Sequence, residues 1–446
     1  MNAPKEQEPA SVAQRPQQAG EAHGQQWWWV EPSVWTDRML TALERGVKGD
    51  KWFRLIDKVY GERNLKSAFE RVKGNDGAAG VDGQSVRQFE NKGEEELARL
   101  GQELRSQSYR PHPVRRVYIE KPGSKEKRPL GIPAVRDRVV QTALRHVIEP
   151  IFEREFAAQS HGFRPGRGCG EALRRVEELL KGGYTWVVDA DLRSYFDTIP
   201  HGRLMERMRE RIADGKVLGL IESFLTQGVM EELNGWQPSE EGTPQGAVIS
   251  PLLANVYLNP LDHQMAAAGM EMVRYADDFV ILCRSQEDAQ KALERVQAWV
   301  TGEGLRLHPE KTRLVDASLP GGFDFLGYHF ERGMKWPRQK SSQKLRDRLR
   351  PLTRRTSGQS LQAIIVRINP ILRGWFVYFK YSKSPTFKSI DGWVRRRLRR
   401  ILRKRRKRKG SGKGLNDHRR WTNAYFAAQG YYSLYAAWQT ARQSHE

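Results

Sequence analysis

The apolar run Trp186-Val187-Val188-Asp189-Ala190-Asp191-Leu192 carries acids at alternate positions, so in an extended strand Asp189 and Asp191 share one face. A second acidic pair, Asp277-Asp278, sits between two apolar stretches in Tyr275-Ala276-Asp277-Asp278-Phe279-Val280-Ile281-Leu282. Adjacent carboxylates flanked by core-forming residues raise each other's pKa unless a cation compensates. Hard oxygen donors suit Mg²⁺, which keeps several waters and needs only one or two carboxylates plus substrate phosphates. Acids on two neighbouring strands would hold a metal pair about 4 Å apart, the arrangement for in-line phosphoryl transfer. Taken alone, the Asp-Asp pair reads more readily as a hairpin turn.

These acids need a framework. Val117-Tyr118-Ile119 predicts a strand, Pro122-Gly123-Ser124 a turn, and Arg128 to Pro133 the returning strand, with a helix over 136–156 behind it. A helix over 171–181 leads into the strand 185–191, and 272–283 predicts a hairpin that turns at Asp277-Asp278. Towards the N-terminus, apolar spacing over 34–71 gives two amphipathic helices. A loop marked by Gly74-Asn75-Asp76-Gly77 and Val81-Asp82-Gly83 follows, then a helix over 94–106. Strands and helices in this mixed order predict an α+β body with a largely antiparallel sheet. Residues 1–26, rich in Gln, Ala, Glu and Pro, read as disordered. The Trp27-Trp28-Trp29-Val30 run that follows would dock on the body or on RNA.

The chain has 446 residues, enough for about three domains. No stretch approaches the ~20 apolar residues of a membrane span and no signal peptide is evident. Two distant cysteines, Cys169 and Cys283, exclude a disulfide framework and a Cys-ligated zinc site, and the cytoplasm is the expected compartment. The net charge of +23 is unevenly spread. Residues 333–446 hold 30 basic and 4 acidic side chains, whereas residues 1–332 hold 46 and 49. Such asymmetry marks a polyanion-binding module on a more neutral body. The basic segment also carries 15 aromatic residues, Trp375, Phe376, Tyr378 and Tyr381 among them, which a solvated tail would not need.

Here the residues carry a family resemblance. Tyr275-Ala276-Asp277-Asp278 resembles the polymerase signature of reverse transcriptases, and Asp191-Leu192-Arg193-Ser194-Tyr195-Phe196-Asp197 resembles their first metal-binding motif. Between them, Gly242-Thr243-Pro244-Gln245-Gly246-Ala247-Val248-Ile249-Ser250-Pro251-Leu252-Leu253-Ala254-Asn255 is similar to the family's template- and nucleotide-contacting loop and helix. Ser160-His161-Gly162-Phe163-Arg164-Pro165-Gly166-Arg167 and Phe325-Leu326-Gly327-Tyr328 narrow the resemblance to group II intron reverse transcriptases, or intron maturases, over about 52–435. It implies a right-hand polymerase with fingers, a palm with an antiparallel sheet, and an α-helical thumb and maturase region. The implied division is a disordered tail over 1–30, a helical N-terminal extension over 31–110, fingers and palm over 111–332, and a basic helical thumb and maturase domain over 333–446.

The implied catalytic acids are Asp191, Asp277 and Asp278, which with Leu192 would hold two Mg²⁺ ions, Mn²⁺ being an alternative. Asp189 would stand behind the site, and Asp197 would cap a turn. Lys121 and Arg128 bracket the first hairpin turn, where the family grips a triphosphate, Arg in bidentate fashion and Lys as a point charge. Gln245 offers a donor and an acceptor, either to a nucleotide or to brace its loop. Phe196 resembles the aromatic that excludes a ribose 2′-hydroxyl, core packing being its other role. Lys311 matches a family lysine near the triphosphate, or is a plain surface lysine. Ser250 before Pro251 predicts a helix N-cap.

At the C-terminus, Trp393, Val394, Leu398, Ile401 and Leu402 form one helical face, and 13 basic residues with no acid fall between Gly392 and Asn416. Arg395, Arg396, Arg399, Arg403, Arg405, Arg406 and Arg408 would face RNA phosphate. Trp375, Tyr378, Tyr381, Trp421 and Tyr425 would stack on bases or form a core, chiefly the latter. The expected protein is an RNA-directed DNA polymerase that uses dNTPs, an RNA template and a DNA target or primer, binds its intron RNA, and assists splicing and retrohoming. The absence of His/Cys-rich ligands predicts that it lacks the appended HNH-type nuclease domain. An intron-free domesticated or defence enzyme, or a splicing factor with a vestigial polymerase site, are the competing readings. The intact acids and Gln245 argue against the last.

Overall fold

The computed structural model describes residues 26–120, 127–231, 234–407, 409–410, 412 and 414–443. The tail over 1–25, the Pro122-Gly123-Ser124 turn, Lys121 and Arg408 lie outside the described residues. Helices of eight or more residues are numbered here. The N-terminal part carries α1 (Asp37–Arg45), α2 (Glu62–Asn75) and α3 (Gly93–Arg105). Trp27 and Val30 are already buried in the core, with the Trp27 indole nitrogen donating to Glu44, so the chain packs before residue 31. Trp28 between them is exposed.

The fingers sheet begins with the hairpin β1 (Val114–Glu120) and β2 (Lys127–Ile132), followed by α4 (Val135–Glu153) and α5 (Cys169–Lys181). Next comes β3 (Trp186–Asp191), then α6 (His201–Arg211) and α7 (Gly215–Thr226). A short hairpin, β4 (Val229–Glu231) and β5 (Gly235–Gln237), adds to β1 in parallel, giving the order β2-β1-β4-β5.

The palm continues with α8 (Ser250–Ala267), β6 (Glu271–Tyr275), β7 (Asp278–Cys283), α9 (Gln286–Gly302) and β8 (Arg313–Asp316). Its sheet has the order β6-β7-β3-β8, antiparallel throughout. Val188 and Ala190 of β3 point into the main core beneath, and the alternation leaves Asp189 and Asp191 on the opposite face. The hairpin turns one residue earlier than expected: Tyr275 pairs with Asp278, and the turn is Ala276-Asp277. Ala276 takes φ +59°, so the strained position falls before the acidic pair and Asp278 becomes a strand residue. Ser250 does not cap α8; it is the first helical residue, and its hydroxyl donates to the Pro244 carbonyl at 2.9 Å.

A three-stranded sheet of β9 (Phe323–Phe325), β10 (Tyr328–Glu331) and β11 (Met334–Pro337) joins the palm to the helices α10 (Gln339–Leu352), α11 (Leu361–Phe379), α12 (Ser384–Arg405) and α13 (Leu434–Gln443). Those helices have a separate core in which Val394, Leu398 and Ile401 are fully buried, together with Trp421. Among the described residues no helix is long and apolar enough to cross a membrane.

Candidate active site

The acids meet where β3 and β7 pair. Asp191 stands directly opposite Asp278 in the antiparallel register, and Asp277 sits in the turn beside them. Like charges facing each other across a ladder are destabilising. Burial first, then Asp189, Asp277 and Asp191, pushes the Asp278 carboxyl up to about 7. Burial also raises Asp277, with Asp191 adding to it, and raises Asp189 against the opposing pull of Arg313. Two cations approach from β8 and the loop before it. The Lys311 ammonium lies on the Asp191 carboxylate, and Arg313 Nε donates to Asp189 at 3.1 Å. Lys311 is an exposed lysine whose ammonium reaches the acids.

Among the described residues no three acidic, histidine or cysteine side chains converge tightly enough to enclose a metal by themselves. The donor set nonetheless fits a divalent ion that keeps part of its water shell: hard carboxylate oxygens, crowded by like charge, with Lys311 already drawn to one of them. The Leu192 side chain is buried and has no donor atom, so only its backbone carbonyl is available to such an ion.

The turn that carries Asp277 is held from below by a residue that the sequence reading missed. Arg274 is fully buried; its guanidinium pairs with Asp262 through both Nε, at 2.8 Å, and Nη2. Its Nη1 donates to Asn255 Oδ1 and to the Ala276 carbonyl, each at 2.9 Å. Asn255 in turn donates to the Gly162 carbonyl at 2.8 Å. A Cβ on Gly162 would run into the Ala276 backbone nitrogen, so only glycine lets this loop lie against the turn. The one signal available was an arginine in the middle of an apolar strand.

Across from the acids, Gln245 has both ends occupied. Its Oε1 accepts from Arg128 Nε at 2.7 Å, and its Nε2 donates to Asp197 Oδ2 at 3.1 Å. Asp197 thus braces this loop instead of capping a turn, and burial raises its carboxyl pKa. The neighbouring Gly246 takes φ +108°, where a Cβ would meet the Gly131 carbonyl at 2.5 Å. Phe196 is buried, its ring 5.5 Å from that of Tyr195, and its carbonyl accepts from Thr243 N at 2.6 Å.

The C-terminal arginines are not equivalent. Arg399 is buried and donates to the Trp421 carbonyl at 3.0 Å, which corrects its expected place on the RNA-facing side. Arg403 is tied to Asp417 by two 2.9 Å contacts, and Arg395 lies 3.7 Å from Asp391, so both are committed within the fold. Arg405 and Arg406 are exposed and Arg396 is half-buried.

An antiparallel palm with paired aspartates at a strand–turn junction, faced by a basic fingers hairpin, defines a polymerase of the right-hand class. The reverse transcriptase (RNA-dependent DNA polymerase) family model matches residues 119–330, and the group II intron maturase-specific domain matches residues 342–421. Protein YkfC of Escherichia coli strain K12 is 36% identical over 292 residues, covering 57% of this chain and 76% of YkfC. Group II intron-encoded protein LtrA of Lactococcus lactis subsp. cremoris is 33% identical over 302 residues, covering 53% of this chain and 49% of LtrA. The chain therefore spans about half the length of LtrA. Among solved structures, the partial Cas6-RT-Cas1–Cas2 complex gives a TM-score of 0.36 at 24% identity, covering 56% of this chain and 43% of that one. The chain belongs to the group II intron reverse transcriptase family, with a maturase-specific domain behind the polymerase body. Reverse transcriptases work with divalent metal ions, and the two domains imply binding of RNA and DNA.

Proposed function

We propose that this chain extends a DNA primer on an RNA template by two-metal phosphoryl transfer, and that it also binds the intron RNA to assist splicing and retrohoming. The observation that carries the reading is Asp191 facing Asp278 in register, with Asp277 in the adjoining turn. Two Mg²⁺ ions, or Mn²⁺ in their place, held by Asp191, Asp277, Asp278 and the Leu192 carbonyl would activate the primer hydroxyl and neutralise charge on pyrophosphate. Arg128 leaves Gln245 to grip the triphosphate, and Lys121 is the second cation that the family resemblance assigns to it. Gln245, released from Arg128, turns its amide to the nucleotide. Lys311, already beside Asp191, donates a proton to departing pyrophosphate. Phe196 closes the sugar pocket against a 2′-hydroxyl. Phe196→Ala then raises the ratio of ribonucleotide to deoxyribonucleotide incorporation, and an unchanged ratio in an active variant reduces Phe196 to packing.

The test is primer extension by the purified chain on an RNA template with dNTPs and Mg²⁺. Template-directed, Mg²⁺-dependent extension is expected. A folded chain that binds the template–primer without extending it overturns the polymerase reading and leaves an RNA-binding splicing factor.

A further inference from the structure

The arginines of the helical unit divide by what their side chains touch. Arg395, Arg399 and Arg403 end on Asp391, the Trp421 carbonyl and Asp417. Arg397 and Arg400 lie on another side of α12, against the turn that follows α10. There Thr353, Arg354, Arg355, Thr356, Arg397 and Arg400 line a concavity of about 300 Å³ without an acidic residue.

The floor of this concavity is built. Arg397 Nε donates to Thr353 Oγ1 at 2.6 Å, and its Nη2 donates to the Thr353 and Arg350 carbonyls at 3.1 Å each. Its guanidinium lies over the Trp393 ring, 5.1 Å from the centroid. Burial, then Arg400, Arg350 and Arg396, lowers the Arg397 pKa, the mark of cations crowded without a counter-charge. The Nε atoms of Arg355 and Arg400 are buried without an acceptor among the described residues; so are those of Arg395 and Arg403, but their guanidinium groups reach Asp391 and Asp417, whereas no acid lines this concavity. An Nε–H shielded in this way gains when an acceptor oxygen reaches it. Guanidinium forks match the tetrahedral oxygens of phosphate.

Position indicates which strand would supply that phosphate. Every lining residue comes from α12 or the turn after α10, and none from the palm. The concavity where the joining sheet meets the helices is a different one, of about 560 Å³, with Gly327 of the β9–β10 turn and Tyr378 of α11 in its wall. A strand in the arginine pocket is therefore held apart from the seam between that sheet and the helices.

We propose that Arg354, Arg355, Arg397 and Arg400 form a backbone-phosphate site for a folded RNA bound outside the polymerase cleft. The proposal rests on the reading that this unit binds RNA and supplies a contact surface for it. The test uses the full chain and two probes, a labelled RNA hairpin and a poly(rA)–oligo(dT) template–primer, titrated over a range of salt. For Arg354→Gln/Arg355→Gln/Arg400→Gln, weaker hairpin binding is expected, with a slope of log affinity on log salt flatter by about 2, at ~0.7–0.9 per phosphate lost. Template–primer affinity should stay at the wild-type level.

An unchanged hairpin slope overturns the site. So does an equal loss for both probes, because the pocket then serves the copied duplex. Should the triple variant unfold, Arg354→Gln/Arg355→Gln, which leaves α12 intact, decides: a hairpin slope flatter by about 1 supports the site and an unchanged one overturns it. Extension of poly(rA)–oligo(dT) by the wild-type chain tests the polymerase reading separately.

Discussion

The palm crowds negative charge and the helical unit crowds positive charge, but the two regions hold it on different scaffolds. In the palm, Asp191 and Asp278 are short side chains fixed by strand register, and the Arg274–Asp262 pair below is a closed, fully buried ion pair. In the helical unit the charges are long arginines on α12 and just after it, some turned onto Asp391, Asp417 and the Trp421 carbonyl, others such as Arg405 and Arg406 exposed, with the Gln359 carbonyl and the face of Trp421 as their protein contacts. The difference follows from the ligands. A small ion with strict coordination demands donors whose positions are set by backbone. A polyanion with many equivalent phosphates tolerates reach and multiplicity, and rewards them through counterion release.

The comparison breaks most visibly at the acids. Asp277→Asn should lower extension by about 10³-fold, the scale of losing a group aimed at transition-state charge, with RNA affinity retained. Single-turnover extension and anisotropy on one preparation check this. Near-wild-type extension would remove Asp277 from the machinery.

Next comes the support below the turn. Arg274→Met strands the Asp262 carboxylate in the core, so unfolding in urea should register a loss of about 3–5 kcal/mol. Arg274→Met with Asp262→Leu should recover most of it; a double variant no better than the single one would mean that the Asn255 and Ala276 contacts carry the stability.

In the helical unit, Arg405→Gln with Arg406→Gln should flatten the salt slope of RNA binding by about 1–2 without lowering the melting temperature. Arg399→Gln should do the reverse, since its donor serves the Trp421 carbonyl. If both variants shift the slope alike, the division of the arginines by contact is wrong.

The smallest effect concerns the acids without metal. Burial and three neighbouring aspartates push Asp278 up to about 7, so the folded chain holds that proton more tightly than the unfolded chain, whose carboxyl titrates near about 4. The metal-free protein therefore loses stability as pH rises from about 4 to about 7, and the loss persists above that. Asp278→Asn removes this loss. In EDTA at about pH 8 the variant should melt a few degrees higher than wild type, with the gap closing towards about pH 4. A gap independent of pH would assign the effect to packing.

Much of the palm is legible because its signals are local. Period-two acids in an apolar strand place Asp189 and Asp191, and the apolar stretches flanking Asp277-Asp278 place the hairpin. The turn slipped by one residue because Asp favours turns, whereas the backbone gave the left-handed position to Ala276. Arg274 was not legible: its partner Asp262 lies on the preceding helix, and nothing in a lone strand arginine says whether it is paired. The division among the C-terminal arginines was hidden for a related reason. On a helix so rich in arginine, spacing shows which face is apolar, while Asp417 and Trp421 return from later in the chain to claim particular cations.

The amide of Gln245, clasped between Arg128 of the fingers and Asp197 of the palm, works as a bolt across the two. If Arg128 grips the triphosphate as proposed, an incoming nucleotide must first draw the bolt. Its apparent affinity is then its intrinsic affinity scaled by the fraction of time the bolt stands open. Weakening the Asp197 end leaves the triphosphate grip in place and enlarges that fraction, so looser bracing at a residue that touches no substrate would read out as tighter nucleotide binding.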